Sequence, residues 1–209
     1  MKSIVPLFAL FMFAYSQKCD RSEVLAQNTK NTLLSNGCSK PAFIQVEGEE
    51  DFTHCCDLHD TCYGICGMSK AYCDNDFKSC MKKLCDTTFK NSPKCKGAAE
   101  TYAMGTMLFG QSGYDDSQKE HCLCIPAETE LLHYTTSVEK FYATHAPDNL
   151  SKVSRIVDKY STSQDDKKKS KGFNKMWYDL HKKYTTAIGH TPERKKMKSV
   201  PRPLSAKEL

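Results

Sequence analysis

The apolar positions fall into runs with different periods. Behind Lys2, the stretch Ile4-Val5-Pro6-Leu7-Phe8-Ala9-Leu10-Phe11-Met12-Phe13 leads to the small residues Ala14 and Ser16. This is the pattern of a secretory signal peptide over residues 1–16, too short for a permanent membrane span. Over 20–34, Val24, Leu25, Leu33 and Leu34 stand among polar residues and predict a short N-terminal helix that stops at Asn36-Gly37. Residues 36–52 keep no period and read as a loop. Residues 53–66 lack proline and precede Gly67, which predicts a first long helix with Thr53 or Asp51 as its cap. Ser69 can cap a second, where Cys73, Phe77, Cys80 and Leu84 form one buried stripe. The short connection predicts an antiparallel pair. A third helix is predicted over 98–109, ended by Gly110 to Gly113, and no internal repeat or convincing run of strands follows. The expected fold class is mainly α.

Two further amphipathic segments lie toward the C-terminus. Leu150, Val153, Ile156, Val157 and Tyr160 make one, and Phe173, Met176, Trp177, Leu180 and Tyr184 the other. Lys152, Arg155, Lys159, Lys175, Lys182 and Lys183 surround them. Such stripes can pack on the core or on each other, or can hold a protein on anionic bilayers, and the pattern leaves both open.

Cysteines divide the chain. All 12 lie between Cys19 and Cys124. An even number in a secreted chain reads as a disulfide framework. Charge changes at the same place, with 17 Lys+Arg against 10 Asp+Glu from residue 126 onward and 12 against 15 over 17–125. The expected domains are therefore a cysteine-rich unit over 17–125 and a basic extension over 126–209. Neither is charged strongly enough to imply nucleic acid, while a basic extension suits anionic membranes or other polyanions.

The chemistry concentrates in Cys55-Cys56-Asp57-Leu58-His59-Asp60-Thr61-Cys62-Tyr63. Adjacent helical cysteines point about 100° apart, so they tie this helix to two different elements. Cys56, His59 and Tyr63 share a face at i, i+3 and i+7. A lone histidine here would read as a packed residue, Asp60 as a solvated carboxylate, Asp74 as an early-helix acid and Tyr63 as a half-buried aromatic. A bridge between Cys62 and Cys73 would bring Asp74 to His59 and make the set a general-base constellation.

The run Cys-Cys-x-x-His-Asp-x-Cys-Tyr, followed by Cys73-Asp74 and Cys80, resembles the active-site signature of secreted phospholipases A2. The 14-residue step from Asp60 to Asp74 and the upstream Asn36-Gly37-Cys38-Ser39-Lys40-Pro41 resemble the group XII branch, and Tyr114-Asp115-Asp116-Ser117-Gln118 extends the likeness. The resemblance implies a phospholipase A2-like fold whose two antiparallel helices carry the site. It implies calcium held by Asp60 and the carbonyls of Gly37, Ser39 and Pro41, and calcium-dependent hydrolysis of the sn-2 ester at a phospholipid membrane surface. His59 would be the base, Asp74 its partner and Tyr63 a support. It also implies bridges Cys38–Cys56, Cys55–Cys80 and Cys62–Cys73, with the other six cysteines unassigned and Gln111 where the family has a cysteine. Ser39 departs from the family's glycine.

Two rival readings remain. Cys55, Cys56, His59, Cys62 and Cys66 could mimic a zinc site, which disulfide formation would exclude. A catalytically weak membrane- or receptor-binding protein could keep the same scaffold. The final Ala206-Lys207-Glu208-Leu209 is near an endoplasmic-reticulum retrieval signal but lacks its basic residue, so secretion is expected, and Asn149-Leu150-Ser151 is one glycosylation sequon.

Overall fold

The computed structural model describes residues 19–39, 51–162 and 166–192, without the side chains of 166–170. The expected leader, Pro41 and the four C-terminal residues lie outside the described residues. Strand β1 (Glu23–Gln27) and β2 (Leu34–Ser35) precede helices α1 (Thr53–Tyr63), α2 (Lys70–Thr87), α3 (Pro93–Phe109) and α4 (Gln111–His121). Strand β3 (Cys122–Pro126), helices α5 (Glu130–His145), α6 (Val153–Tyr160) and α7 (Asp166–Lys183), and β4 (Gly189–His190) complete the order. The fold is mainly helical and disulfide-rich, as expected.

Helices α1 and α2 are antiparallel because their cystines run in opposite order: Cys62–Cys73 near the turn and Cys55–Cys80 about two turns further out. Both bridges and Cys38–Cys56 match the pairing implied by resemblance. Cys19–Cys124, Cys66–Cys122 and Cys85–Cys95 use the remaining cysteines, so none is free and a thiolate zinc site is excluded. Ser69 caps α2 by accepting from Tyr72 N, as expected, whereas α1 starts after Phe52 without a side-chain cap, Asp51 bonding only Thr53 N ahead of it. Helix α1 also ends at Tyr63, three residues short of the expected stop, because the chain turns at Gly64.

The helix expected over 20–34 is absent. Residues Glu23–Gln27 form a strand, antiparallel to β3 with Val24 opposite Ile125 and Ala26 opposite Leu123. The apolar pairs in 20–34 are too sparse to build a helical stripe, whereas the distant partner strand and Cys19–Cys124 supply tertiary contacts that decide the conformation. The third helix starts five residues earlier than expected, where Ser92 caps it and Pro93 occupies its first turn. Gly110 does end it, but α4 starts at once, with only Gln118 and His121 buried. A Cβ at Gly110 would stand 2.5 Å from Thr106 O and 2.7 Å from Tyr63 Oη, so glycine lets the α3–α4 corner close against α1.

Two cores flank the α1–α2 pair. One joins Phe52, Cys55, Phe77, Met81, Leu84, Ala99 and Tyr102. The other joins Ala26, Leu33, Cys62, Tyr63, Ile65 and Cys73 to Tyr134, Val138, Val157, Phe173, Met176 and Trp177. The α7 stripe is thus turned inward onto β1 and α1 of the cysteine-rich part, while Val153 and Val157 of α6 are buried against α5 and α7 and Leu150 stays exposed. Buried polar bonds reinforce the junction: Tyr134 Oη bonds Gln27 N and Asn174 Oδ1, while the Gln27 side chain bonds Gly64 O and Cys66 N.

Candidate active site

His59 lies on α1 with 6% of its surface exposed, and its Nε2 stands 2.9 Å from Asp74 Oδ1 on α2. Tyr63, one turn after His59, donates from Oη to the same oxygen at 2.7 Å. Lys70 Nζ donates to Asp74 Oδ2 at 2.7 Å and to Thr106 O at 2.7 Å. Asp74 is therefore bonded on both oxygens by three side chains. Burial pushes its carboxyl up, but the bonds from His59, Lys70 and Tyr63 outweigh that and hold it below the ordinary carboxylate value. Burial, joined by the bond to Asp74, drives the Tyr63 phenol far upward, so it remains a donor.

An ionised carboxylate only accepts, so His59 carries its proton on Nε2 in the neutral ring. Among the described residues Nδ1 has no hydrogen-bond partner. The ring is fixed against Tyr63 at 4.2 Å and Phe77 at 4.6 Å between centroids. This leaves one basic nitrogen in a set orientation, the geometry that general-base chemistry needs.

Asp60 follows His59 but points to a different neighbour. Its Oδ2 accepts from Asn36 N at 3.0 Å and lies 2.9 Å from Ser35 Oγ, which also lies 2.7 Å from Asp57 Oδ1. Gly37 has φ +79°, its N–H bonds Ser35 Oγ, and its carbonyl accepts from Ser39 N. The Cys38–Cys56 bridge holds this loop to α1. Strand β4 braces it from behind: β2 pairs with β4 in parallel, and Thr191 N bonds Ser35 O.

Burial pushes the Asp60 carboxyl up to about 6, with His59, Ser35 and Asn36 pulling the other way and Asp57 adding to the rise. A carboxylate kept ionised there is short of positive charge, which is the condition a hard cation relieves. A carboxylate at the foot of a loop is the kind of oxygen donor that calcium takes, and loop carbonyls would have to complete the set. Among the described residues no group of three or more His, Cys, Asp or Glu side chains could hold a metal, so such a site would depend on loop carbonyls.

Of the expected site residues, His59, Asp74 and Tyr63 come together, while Asp60 bonds Ser35 and Asn36 at the foot of the adjoining loop that carries Gly37 and Ser39. Pro41 lies outside the described residues. Lys70 and Ser35 were not expected. Lys70 sits four residues before Asp74, a spacing that pairs opposite charges on a helix and was readable in the sequence. Ser35 carried no such signal.

The family model of group XII secretory phospholipase A2 precursors matches residues 14–132. The chain is 35% identical over 97 residues to mouse group XIIA secretory phospholipase A2, covering 43% of this chain and 50% of that protein. It is 30% identical over 110 residues to mouse group XIIB secretory phospholipase A2-like protein, covering 46% and 56%. Conodipine-P2 of Conus purpurascens is 41% identical over 67 residues, covering 31% and 36%. The chain thus spans about half the length of the group XII relatives it matches. No solved structure matches it. The motif spacing, the paired helices and a match across more than half of its residues agree: the chain belongs to the group XII secretory phospholipase A2 family.

Proposed function

We propose that this protein is a secreted, calcium-dependent phospholipase A2 that hydrolyses the sn-2 ester of glycerophospholipids at a lipid surface. The carrying observation is the 2.9 Å contact of His59 Nε2 with Asp74, which leaves Nδ1 as the single free base. Calcium would be held by Asp60 and the carbonyls of Gly37, Ser39 and Pro41. When bound, it would supply a Lewis acid for the ester carbonyl and a counter-charge for the substrate phosphate.

His59 Nδ1 takes a proton from water as that water's oxygen attacks the ester carbonyl carbon. Asp74 stabilises the imidazolium through Nε2–H. Tyr63 and Lys70 keep the carboxylate from turning away, and Phe77 limits rotation of the ring. As the tetrahedral centre collapses, Nδ1–H returns the proton to the departing glycerol oxygen, giving a free fatty acid and a lysophospholipid. A positioned base of this kind contributes about 10² to 10⁴ in rate.

A lipid surface as the place of action has support beside the dyad. Met104, Met107, Leu108 and Phe109, each more than half exposed, crowd the end of α3 next to Thr106, whose carbonyl holds Lys70. Among the described residues no helix is long and apolar enough to cross a membrane.

The test is fatty-acid release from mixed phospholipid vesicles, with calcium and with chelator, for the wild type and His59→Gln. Calcium-dependent release that His59→Gln lowers by at least about 10²-fold supports the enzyme. Vesicle binding without release would favour the catalytically weak binding protein, a reading that the phospholipase A2-like name of the group XIIB relative keeps open.

A further inference from the structure

Beyond residue 132, where the family match ends, the fold gathers four cations at one cleft. Lys152 ends the 3-10 turn Pro147–Lys152, Arg155 and Lys159 follow one turn apart on α6, and Lys183 closes α7. With Tyr142, Asn149 and Ile156 they line an open cleft of about 490 Å³ that has no acidic residue in its wall. Among the described residues none of the four is in a salt bridge. Lys152 Nζ bonds Asn149 Oδ1, while Lys159 and Lys183 lie over the Tyr160 and Tyr184 rings. Neighbouring lysines of α7 behave differently: Lys175 pairs with Asp179 and Lys182 with Asp76. Asp179 and Asp76 are thus taken by other lysines, while Asp148 and Asp158, on the same elements as the cluster, stand outside the cleft wall and form no salt bridge with it among the described residues.

The cluster is fixed in place. Gly172 lets α7 approach Tyr160 O, which a Cβ there would meet at 2.4 Å, and Tyr160 Oη donates to Asp179 at 2.8 Å. Asn149 Nδ2 donates to Tyr184 Oη at 2.9 Å, and Val153 and Val157 are buried beneath. Val153 and Val157 turn the apolar face of α6 to the core, so this side presents mainly charge outward, with Ile156 in the cleft wall and Leu150 exposed beside it. The wall offers a guanidinium, three ammonium groups and a phenol, and the space suits phosphodiester headgroups with their glycerol.

We propose that this cleft and its rim are a docking surface for anionic phospholipid headgroups, which holds the protein electrostatically on a lipid surface. It needs neither calcium nor turnover. The experiment uses the full chain with chelator present, so that no hydrolysis occurs. Sedimentation compares vesicles of phosphatidylcholine with vesicles that also contain phosphatidylserine. The wild type should bind the anionic vesicles at least about tenfold more tightly, with affinity falling steeply as salt rises. Arg155→Gln, Lys159→Gln and Lys183→Gln combined should weaken that binding about 10- to 100-fold while the melting temperature holds, since all three side chains are exposed. Lys90→Gln, Lys94→Gln and Lys119→Gln combined remove the same charge elsewhere and should change little. Equal binding by the cleft variant, or equal loss in both triple variants, would overturn the proposal. Displacement by inorganic phosphate at matched ionic strength would also overturn it, in favour of a small-anion site. A protein without hydrolytic activity that still shows this pattern would defeat the enzyme reading and leave the docking surface standing.

Discussion

The stretch from Cys19 to Cys124 and the helices after it solve the same stability problem by different means. The first carries all six disulfides, and two of them fasten α1 to α2 at its ends. The second has no cysteine and is built on aromatic rings: Tyr134 stacks on Phe173 at 4.6 Å, and Phe141 meets Trp177, His181 and Tyr184. Cross-links fix a few atoms closely at little cost in apolar area, which suits a site where one imidazole must face one carboxylate. Ring packing yields more burial and tolerates small displacements, which suits a bracing layer. The difference teaches that covalent order here is confined to the part that carries the candidate chemistry, while the part that carries none of it is held by apolar and aromatic burial instead.

Truncation after Pro126 should break this arrangement most severely. It would uncover Leu33, Ile65 and Tyr63 and remove Tyr134 from Gln27, so the shortened chain should lose its cooperative melt and its hydrolysis even of a monomeric short-chain ester. A fully active truncation would mean that the stitched half is self-sufficient. Phe173→Ala, at a fully buried ring, should cost about 3 to 5 kcal/mol, measured by denaturant unfolding. Replacing Cys85 and Cys95 together by serine opens a loop of sequence separation 10 and should cost about 2 to 4 kcal/mol, leaving the dyad geometry intact.

Acid should strain the packed half next. Burial lowers His181 from 6.5 to about 4, the neighbouring His145 adds to that, and the bond to Trp177 O opposes it. The unfolded chain therefore binds the extra proton first. This contribution to stability is complete above about pH 6.5 and is lost as pH falls toward 4, by about 2 to 3 kcal/mol if it acts alone. His181→Gln should flatten that part of the stability profile. The smallest effect belongs to the stitched half: Lys70→Met should lower kcat about tenfold with KM nearly unchanged, and Lys70→Arg should restore most of it. An unaltered kcat would reduce Lys70 to a surface-type ion pair.

The sequence made the α1–α2 pair readable because its information is local. Six cysteines, His59, Asp60 and Asp74 occupy two consecutive helices, so helical spacing states which side chains share a face, and the family resemblance supplied the bridges that join the two faces. The pairing of β1 with β3 was hidden because its register joins residues about a hundred positions apart, and five residues of either strand hold no decisive alternation. Helix α4 was hidden for another reason. Its buried residues, Gln118 and His121, are polar, and Gln118 works by capping the Tyr63 and Ile65 carbonyls at the end of α1 rather than by apolar burial. The inward turn of the C-terminal stripes could not be separated from membrane contact, since both uses demand the same amphipathic pattern.

The short pairing of β2 with β4 gives the molecule a check on its own integrity. Gly189 N bonds Leu33 O and Thr191 N bonds Ser35 O, while Ser35 Oγ reaches Asp60, the carboxylate proposed to hold calcium. A protease that cut between Tyr184 and Gly189 would spare every disulfide and nearly all of the buried rings, yet it would release the strand behind the loop. A nicked molecule would thus stay folded while the proposed cation site slackened, so wear at one edge would reach that site before it reached the cores.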